Sequence, residues 1–167
     1  VAVPNYPLFN YPPYELALSS RLVEVVEKYN IELLHVHYAI PHAYSALMAK
    51  QMLKAKKINI PVVTTLHGTD ITLVGSNPSY KIAVEHSINN SDSVTAVSES
   101  LKNDTLSLFN INKPIKVIPN FVNLEKYLTK SSSKEIFSKK NKIITHVSNF
   151  RKVKRVIDVI NIFDGIQ

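Results

Sequence analysis

The stretch that decides the fold is Val62–Ser76, VVTTLHGTDITLVGS. Val62–Leu66 are β-branched or apolar, as a buried strand requires, and the run stops at His67-Gly68-Thr69-Asp70. An imidazole, a flexible Gly, a hydroxyl and a carboxylate within four residues make either a turn or a site. As a turn, Thr69 or Asp70 caps the backbone while His67 packs. As a site, Gly68 lets a ligand approach the main chain, and His67 hydrogen-bonds a hydroxylated substrate through a ring nitrogen. On these residues alone both readings stand.

Working outward, the same pattern recurs. ELALSSRLVEVVEKY places Leu18, Leu22, Val25, Val26 and Tyr29 at helical spacing on one inward face. IELLHVHY reads as a strand, and Pro41 opens a helix with an apolar stripe of Tyr44, Leu47, Met48 and Met52. IPVVTTLH is the next strand. Pro78 begins a weaker helix to about Asn89, DSVTAVS is a strand, Ser98 caps the helix ESLKNDTLSLF, and IKVIPNF is a fourth strand. Apolar strands alternating with helices predict an α/β fold, a Rossmann-like doubly wound parallel sheet covered on both faces. The polar stretch 123–138, with KSSSKE at its centre, reads as a linker between a first domain over 1–122 and the start of a second over 139–167. In that start KIITHVSNF is a strand, and VKRVIDVINIF a helix turning Val153, Val156, Ile157, Ile160 and Phe163 inward. One β-α unit cannot bury its own apolar face, and a homo-oligomer is one way of covering it.

Composition narrows the classes. The 167 residues are 45% hydrophobic, the content of a globular chain rather than a disordered one. There is no Cys, so no disulfide framework or thiolate metal site is expected, and a cytoplasmic setting is. The opening VAVPNYPLFNYPPY has no basic leader or apolar signal core, and no run approaches the ~18 apolar residues of a membrane span. Net charge is +7, and Lys139, Lys140, Lys142, Arg151, Lys152, Lys154 and Arg155 concentrate it near the C-terminus, which favours an anionic partner. Phe150 is the sole Phe, Tyr or Trp among them, too few stacking side chains for a nucleic-acid groove. With only three Gly, the chain carries no Gly-rich phosphate loop.

Ligands of doubly wound sheets bind outside the carboxyl ends of the strands. The residues expected there are His37 and Tyr38; His67, Gly68, Thr69 and Asp70; Ser98 and Glu99; Asn120; and Ser148, Asn149, Phe150 and Arg151. His35-x-His37 has the spacing of strand-borne metal ligands. The barrels that use it, however, need about 250 residues and further ligands. No metal site is therefore assigned, and His35 is expected as a buried, hydrogen-bonded core residue. No Ser stands on a Gly-flanked elbow, so a hydrolase triad has no support.

The blocks HVHYAIPHA, VTTLHGTDIT, SDSVTAVSESL, VIPNFVN and SNFRKVKRV, in this order and spacing, resemble the family 4 retaining glycosyltransferases of the two-domain GT-B fold. HYAIPHA, TLHGTDIT and SNFRKVKR carry the likeness most specifically, and it points to the bacterial branch that opens bacillithiol biosynthesis. The resemblance implies a hexosyltransferase moving N-acetylglucosamine from UDP-N-acetylglucosamine to the hydroxyl of L-malate. Configuration is retained, with no obligatory metal and no cofactor. It places His67 near the sugar and the reacting centre, and Tyr38 and Thr69 on the acceptor side with Gly68, Asp70, Ser98 and Asn120. Lys154 matches the Lys that clamps the donor diphosphate. Asn149 stands where many relatives carry Arg, so Arg151 or Arg155 supplies the second cation. It further implies that the chain is an internal piece of an enzyme about twice as long, inactive by itself, whose partners are a UDP-sugar and a small dicarboxylate. A family 4 enzyme with another sugar or acceptor, or a non-catalytic anion-binding module, are the alternatives.

Overall fold

A computed structural model describes residue 2, residues 12–127 and residues 143–166, apart from the side chain of Val153. The larger part of the expected linker, including KSSSKE, lies outside these residues. The chain divides into two units, 1–122 and 123–167.

In the first unit the order is α1 (Tyr14–Tyr29), β1 (Leu34–His37), α2 (Tyr44–Ala55), β2 (Val62–Leu66), α3 (Pro78–Asn90), β3 (Ser93–Ala96), α4 (Glu99–Leu108) and β4 (Ile115–Val117). The strands form one parallel sheet in the order β1-β2-β3-β4. Val36 is opposite Thr64, Thr64 opposite Val94, and Val94 opposite Ile115. This is the parallel α/β architecture that the alternation predicts. The fourth strand is shorter than expected because Pro119 has no N–H to continue a ladder.

Right-handed crossovers joining strands laid down in one direction place every connecting helix on the same face. The buried residues obey this rule. Leu34 and Val62 pack with Val23 and Val26 of α1 and Ala46, Leu47, Ala49 and Leu53 of α2. Leu66, Val94, Ala96 and Ile115 pack with Val84 and Ile88 of α3 and Leu101 of α4. The other face carries His35, His37, Val63, Thr65, Ser93, Thr95 and Lys116, the strand positions of opposite parity, of which Thr65 and Thr95 are buried. The expectation of cover on both faces therefore holds for one face among the described residues. His35 is exposed on the open face rather than buried in the core, although it is hydrogen-bonded as expected.

Two helices turn differently from their predicted stripes. In α1 Val23 is buried and Tyr29 is exposed. In α2 Met52 is exposed, and Leu53 takes its place beside Ala46 and Ala49, whose small side chains let the helix lie close to the sheet. Regular helix begins at Tyr44, not at Pro41: Ala39–Ala43 form a wider turn instead, in which Ile40 is extended at φ −133° and ψ 145°, as a residue before proline tends to be. Asn77 caps α3 by accepting from Ser79 N–H, with Pro78 at its first position.

The second unit contains α5 (Leu124–Tyr127), a 3-10 turn at Lys152–Lys154 and α6 (Val156–Asp164). The strand expected over KIITHVSNF is not formed: its described residues, 143–150, pair with no neighbouring strand. A strand exists through its ladder, and apolar sequence alone does not supply one. The helix expected from Val153 starts instead at Val156, since Arg155 adopts a left-handed conformation at φ 51°. Ile157, Ile160 and Phe163 are exposed.

Candidate active site

β1 and β2 leave the sheet in the same manner. Tyr38 follows β1 at φ 76° and ψ 133°, and Gly68 follows His67 after β2 at φ 110° and ψ −53°. Each is succeeded by a wide turn closed by an i to i+5 hydrogen bond, Ala43 N–H to Tyr38 C=O at 3.1 Å and Val74 N–H to Thr69 C=O at 2.9 Å. Such turns are rare and gather at functional sites. A Cβ on Gly68 would touch nothing within 4 Å, so Gly is present for its backbone angle and not for space. Tyr38 holds a positive φ with a full side chain, a strain of about 1–3 kcal/mol that only over-determined surroundings sustain. Those surroundings are the Tyr38 N–H bond to Thr65 C=O at 2.9 Å and the anchoring of the next residue by Asp70.

Asp70 is 2% exposed, and both its oxygens face main chain. Oδ2 accepts from Ala39 N–H at 2.8 Å, and Oδ1 accepts from Gly68 N–H at 3.0 Å and His67 N–H at 3.2 Å. One buried carboxylate thus ties the end of β1 to the end of β2. Its placement bears out the turn reading for Asp70, which builds the turn that carries His67.

Above this clamp the rings of His35, His37, Tyr38, His42 and His67 meet. His37 Nδ1 and His67 Nε2 share a hydrogen bond of 2.7 Å. The Tyr38 ring lies 5.1 Å from that of His67 and 6.0 Å from that of His42, centroid to centroid. His42 Nδ1 sits 2.7 Å from the His37 carbonyl oxygen, which can only accept, so Nδ1 carries the proton. The His35 ring stacks on His37 at 4.9 Å, and its Nε2 is 2.8 Å from Thr65 Oγ1, itself 2.8 Å from Thr95 Oγ1. Partial burial pushes the His37 pKa below its ordinary value, and the neighbouring rings of His35, His67 and His42 add to the effect, because each disfavours a second positive charge. Among the described residues no cluster of three or more His, Cys, Asp or Glu is arranged to hold a metal ion.

Of the residues expected at this edge, Tyr38, His67, Gly68 and Asp70 are brought together, and Thr69 is exposed beside them. Ser98 is committed to its helix: Oγ accepts from Leu101 N–H at 3.1 Å, the cap that its position before α4 predicts. Asn120 is exposed in the segment after β4. Sequence reasoning missed His42, five residues after His37, and the spacing matches the i to i+5 turn that brings it back.

In the second unit Asn149, Arg151, Lys154 and Arg155 are all exposed. Arg151 N–H donates to Asn149 C=O at 2.7 Å, and Lys154 N–H to Arg151 C=O at 2.8 Å. Phe150, Arg151, Lys152 and Arg155 line a shallow hollow against the first turn of α6. Arg155 Nε donates to Asp158 at the same end, which occupies part of its fork.

A parallel sheet whose carboxyl edge gathers hydrogen-bonding side chains is the architecture of a Rossmann-like ligand-binding domain, and the chain belongs to Glycosyltransferase Family 4, whose model matches residues 1–126. It is 48% identical over 170 aligned residues to N-acetyl-alpha-D-glucosaminyl L-malate synthase of Bacillus anthracis, covering 99% of this chain and 44% of that protein. It is 31% identical over 101 residues to an uncharacterized glycosyltransferase of Methanocaldococcus jannaschii, covering 60% of this chain and 27% of that one. The chain thus spans less than half the length of the curated relatives it matches. No helix among the described residues is long and apolar enough to cross a membrane.

Proposed function

We propose that the protein carrying this chain transfers N-acetylglucosamine from UDP-N-acetylglucosamine to the hydroxyl of L-malate with retained configuration, the opening step of bacillithiol biosynthesis. The observation that carries the reading is the 48% identity along 99% of the chain to a relative whose name states a glucosaminyl L-malate product. The cluster at the ends of β1 and β2 supports it.

In this reaction the bond from the sugar C1 to the β-phosphate oxygen breaks, and a bond from C1 to the malate oxygen forms on the same face. The departing phosphate oxygen takes the hydroxyl proton, and UDP leaves. His67, with Tyr38 and Thr69 beside it, lines the reacting centre and orients hydroxyls there. Gly68 allows close approach, and Asp70 acts by holding the loop. Ser98 and Asn120 belong to the same edge, Ser98 through its cap. Charge grows on the diphosphate as the glycosidic bond breaks, and Lys154 with Arg151 or Arg155 would stabilise it, near Asn149. A cytoplasmic enzyme suits a cysteine-free sequence and water-soluble substrates.

The test is to incubate the complete protein with UDP-N-acetylglucosamine and L-malate and to follow UDP release and product mass. His67→Ala should lower kcat far more than it weakens donor binding, since contacts at the reacting centre act mainly in the transition state. Transfer to another acceptor, or from another UDP-sugar, in place of this pair would transfer the assignment to another member activity of the family. Binding of UDP without any transfer would favour an anion-binding module.

A further inference from the structure

We propose that His37 is a positioning residue for His67: it engages Nε2 of the His67 ring, so that His67 meets the substrate through Nδ1 alone. The inference rests on the reading that His67 lines the reacting centre, and it adds how that ring is aimed.

An imidazole on a loop has two rotatable side-chain bonds and two chemically distinct nitrogens. The 2.7 Å bond from His37 Nδ1 occupies one nitrogen of His67 and leaves Nδ1 without a hydrogen-bond partner among the described residues. The holder is itself held. His37 lies on β1 in register with Thr65, its carbonyl receives the His42 proton at 2.7 Å, and its ring stacks on His35. The His67 main chain is fixed by Asp70, and the Tyr38 ring closes the other side at 5.1 Å. Ring, backbone and flank are thus constrained by residues from both strand ends.

The pair also has a defined proton inventory. With both rings neutral, or with one charged, a single proton lies between His37 Nδ1 and His67 Nε2. With both charged, donor would face donor and the bond is lost. The groups facing His37 are His35 on its own strand, His67 from the loop after β2 and His42 from the turn after β1, while the Tyr38 ring packs on His42 and His67. The Asp70 carboxylate is turned to the main chain. The hydrogen bond therefore requires that at least one of the two rings be neutral.

Two variants of the complete protein test this. His37→Phe keeps a flat ring and removes the nitrogen, whereas His37→Asn returns an amide near the Nδ1 position. His67 ring-nitrogen NMR should show one dominant tautomer in the parent protein and a mixture in His37→Phe, with His37→Asn close to the parent. In parallel kcat should fall roughly 10-fold to 100-fold in His37→Phe, with KM for the donor little changed, and His37→Asn should recover most of it. His67 nitrogen signals unaltered by His37→Phe would overturn the proposal, as would a His37→Asn protein no better than His37→Phe. If His67→Ala remains active, the reading of the site fails instead. The NMR comparison then still decides whether His37 fixes the ring.

Discussion

Replacing Asp70 by Asn removes one charge and alters no volume, yet it should be among the most damaging single changes in the first unit. The parent carboxylate accepts three main-chain N–H bonds, at 2.8, 3.0 and 3.2 Å, in a position 2% exposed. Asn can aim its one oxygen at the His67 and Gly68 N–H pair. Its amide nitrogen then points at Ala39 N–H, donor against donor, in a residue with no solvent exposure. The loss combines a charge-assisted hydrogen bond, about 1.5–3 kcal/mol, with a stranded buried donor, about 1–3 kcal/mol, for a total of about 2.5–6 kcal/mol. Urea unfolding of parent and Asp70→Asn proteins, followed by far-UV circular dichroism, measures this directly. A loss under about 1 kcal/mol would refute the reasoning, because it would mean that the carboxylate does not carry the three bonds between the strand ends.

Gly75→Ala should destabilise by at least the 1–3 kcal/mol or so typical of overpacking, since its new methyl would stand 2.0 Å from the Asp70 carbonyl oxygen and 3.2 Å from Phe109 Cζ; thermal unfolding would show it. Lowering pH should weaken the first unit through His37. Its folded pKa lies below the ordinary 6.5, so its stabilising contribution is present above that value and is lost as pH falls through the folded pKa. Urea midpoints at pH 7.5 and at about pH 5.5 should differ in that direction, and less so in His37→Phe. For the chain by itself, UDP should bind weakly and with an affinity that falls as salt rises, because exposed cations are screened. Calorimetric titration at two ionic strengths checks this, and tight, salt-insensitive binding would contradict it.

The sheet was legible in the sequence because its signal is repeated: four apolar runs, the first three each followed by a helix, leave few arrangements open. Cap residues such as Ser98 and Pro78 announce themselves by chemistry. The edge on which Tyr38, His67, Gly68 and Asp70 meet followed from the direction of the strands. What escaped was conformation without a composition signal. Nothing in AIPHA or TDITL marks an i to i+5 turn, so the return of His42 to the His37 carbonyl could not be foreseen. The role of Asp70 was readable only as one of two alternatives, since a carboxylate in a loop looks the same whether it faces a ligand or three amides. That the helices of the described residues lie on one face was not read, because alternation predicts helices, whereas strand order decides which side they take. KIITHVSNF failed as a strand for a related reason: pairing is a property of two segments, and the pattern is read from one.

The two strand exits solve one geometric problem with different residues. After β2 the left-handed turn is taken by Gly68, for which that conformation is free of side-chain conflict. After β1 it is taken by Tyr38, where glycine would relieve the backbone at once. A variant library screened for thermal stability alone would therefore be drawn toward Tyr38→Gly, and a library screened for turnover would be drawn away from it. If Tyr38 serves the reaction as proposed, position 38 is where durability and activity would separate, and the direction in which a population drifts at that codon would reveal which of the two it is being asked for.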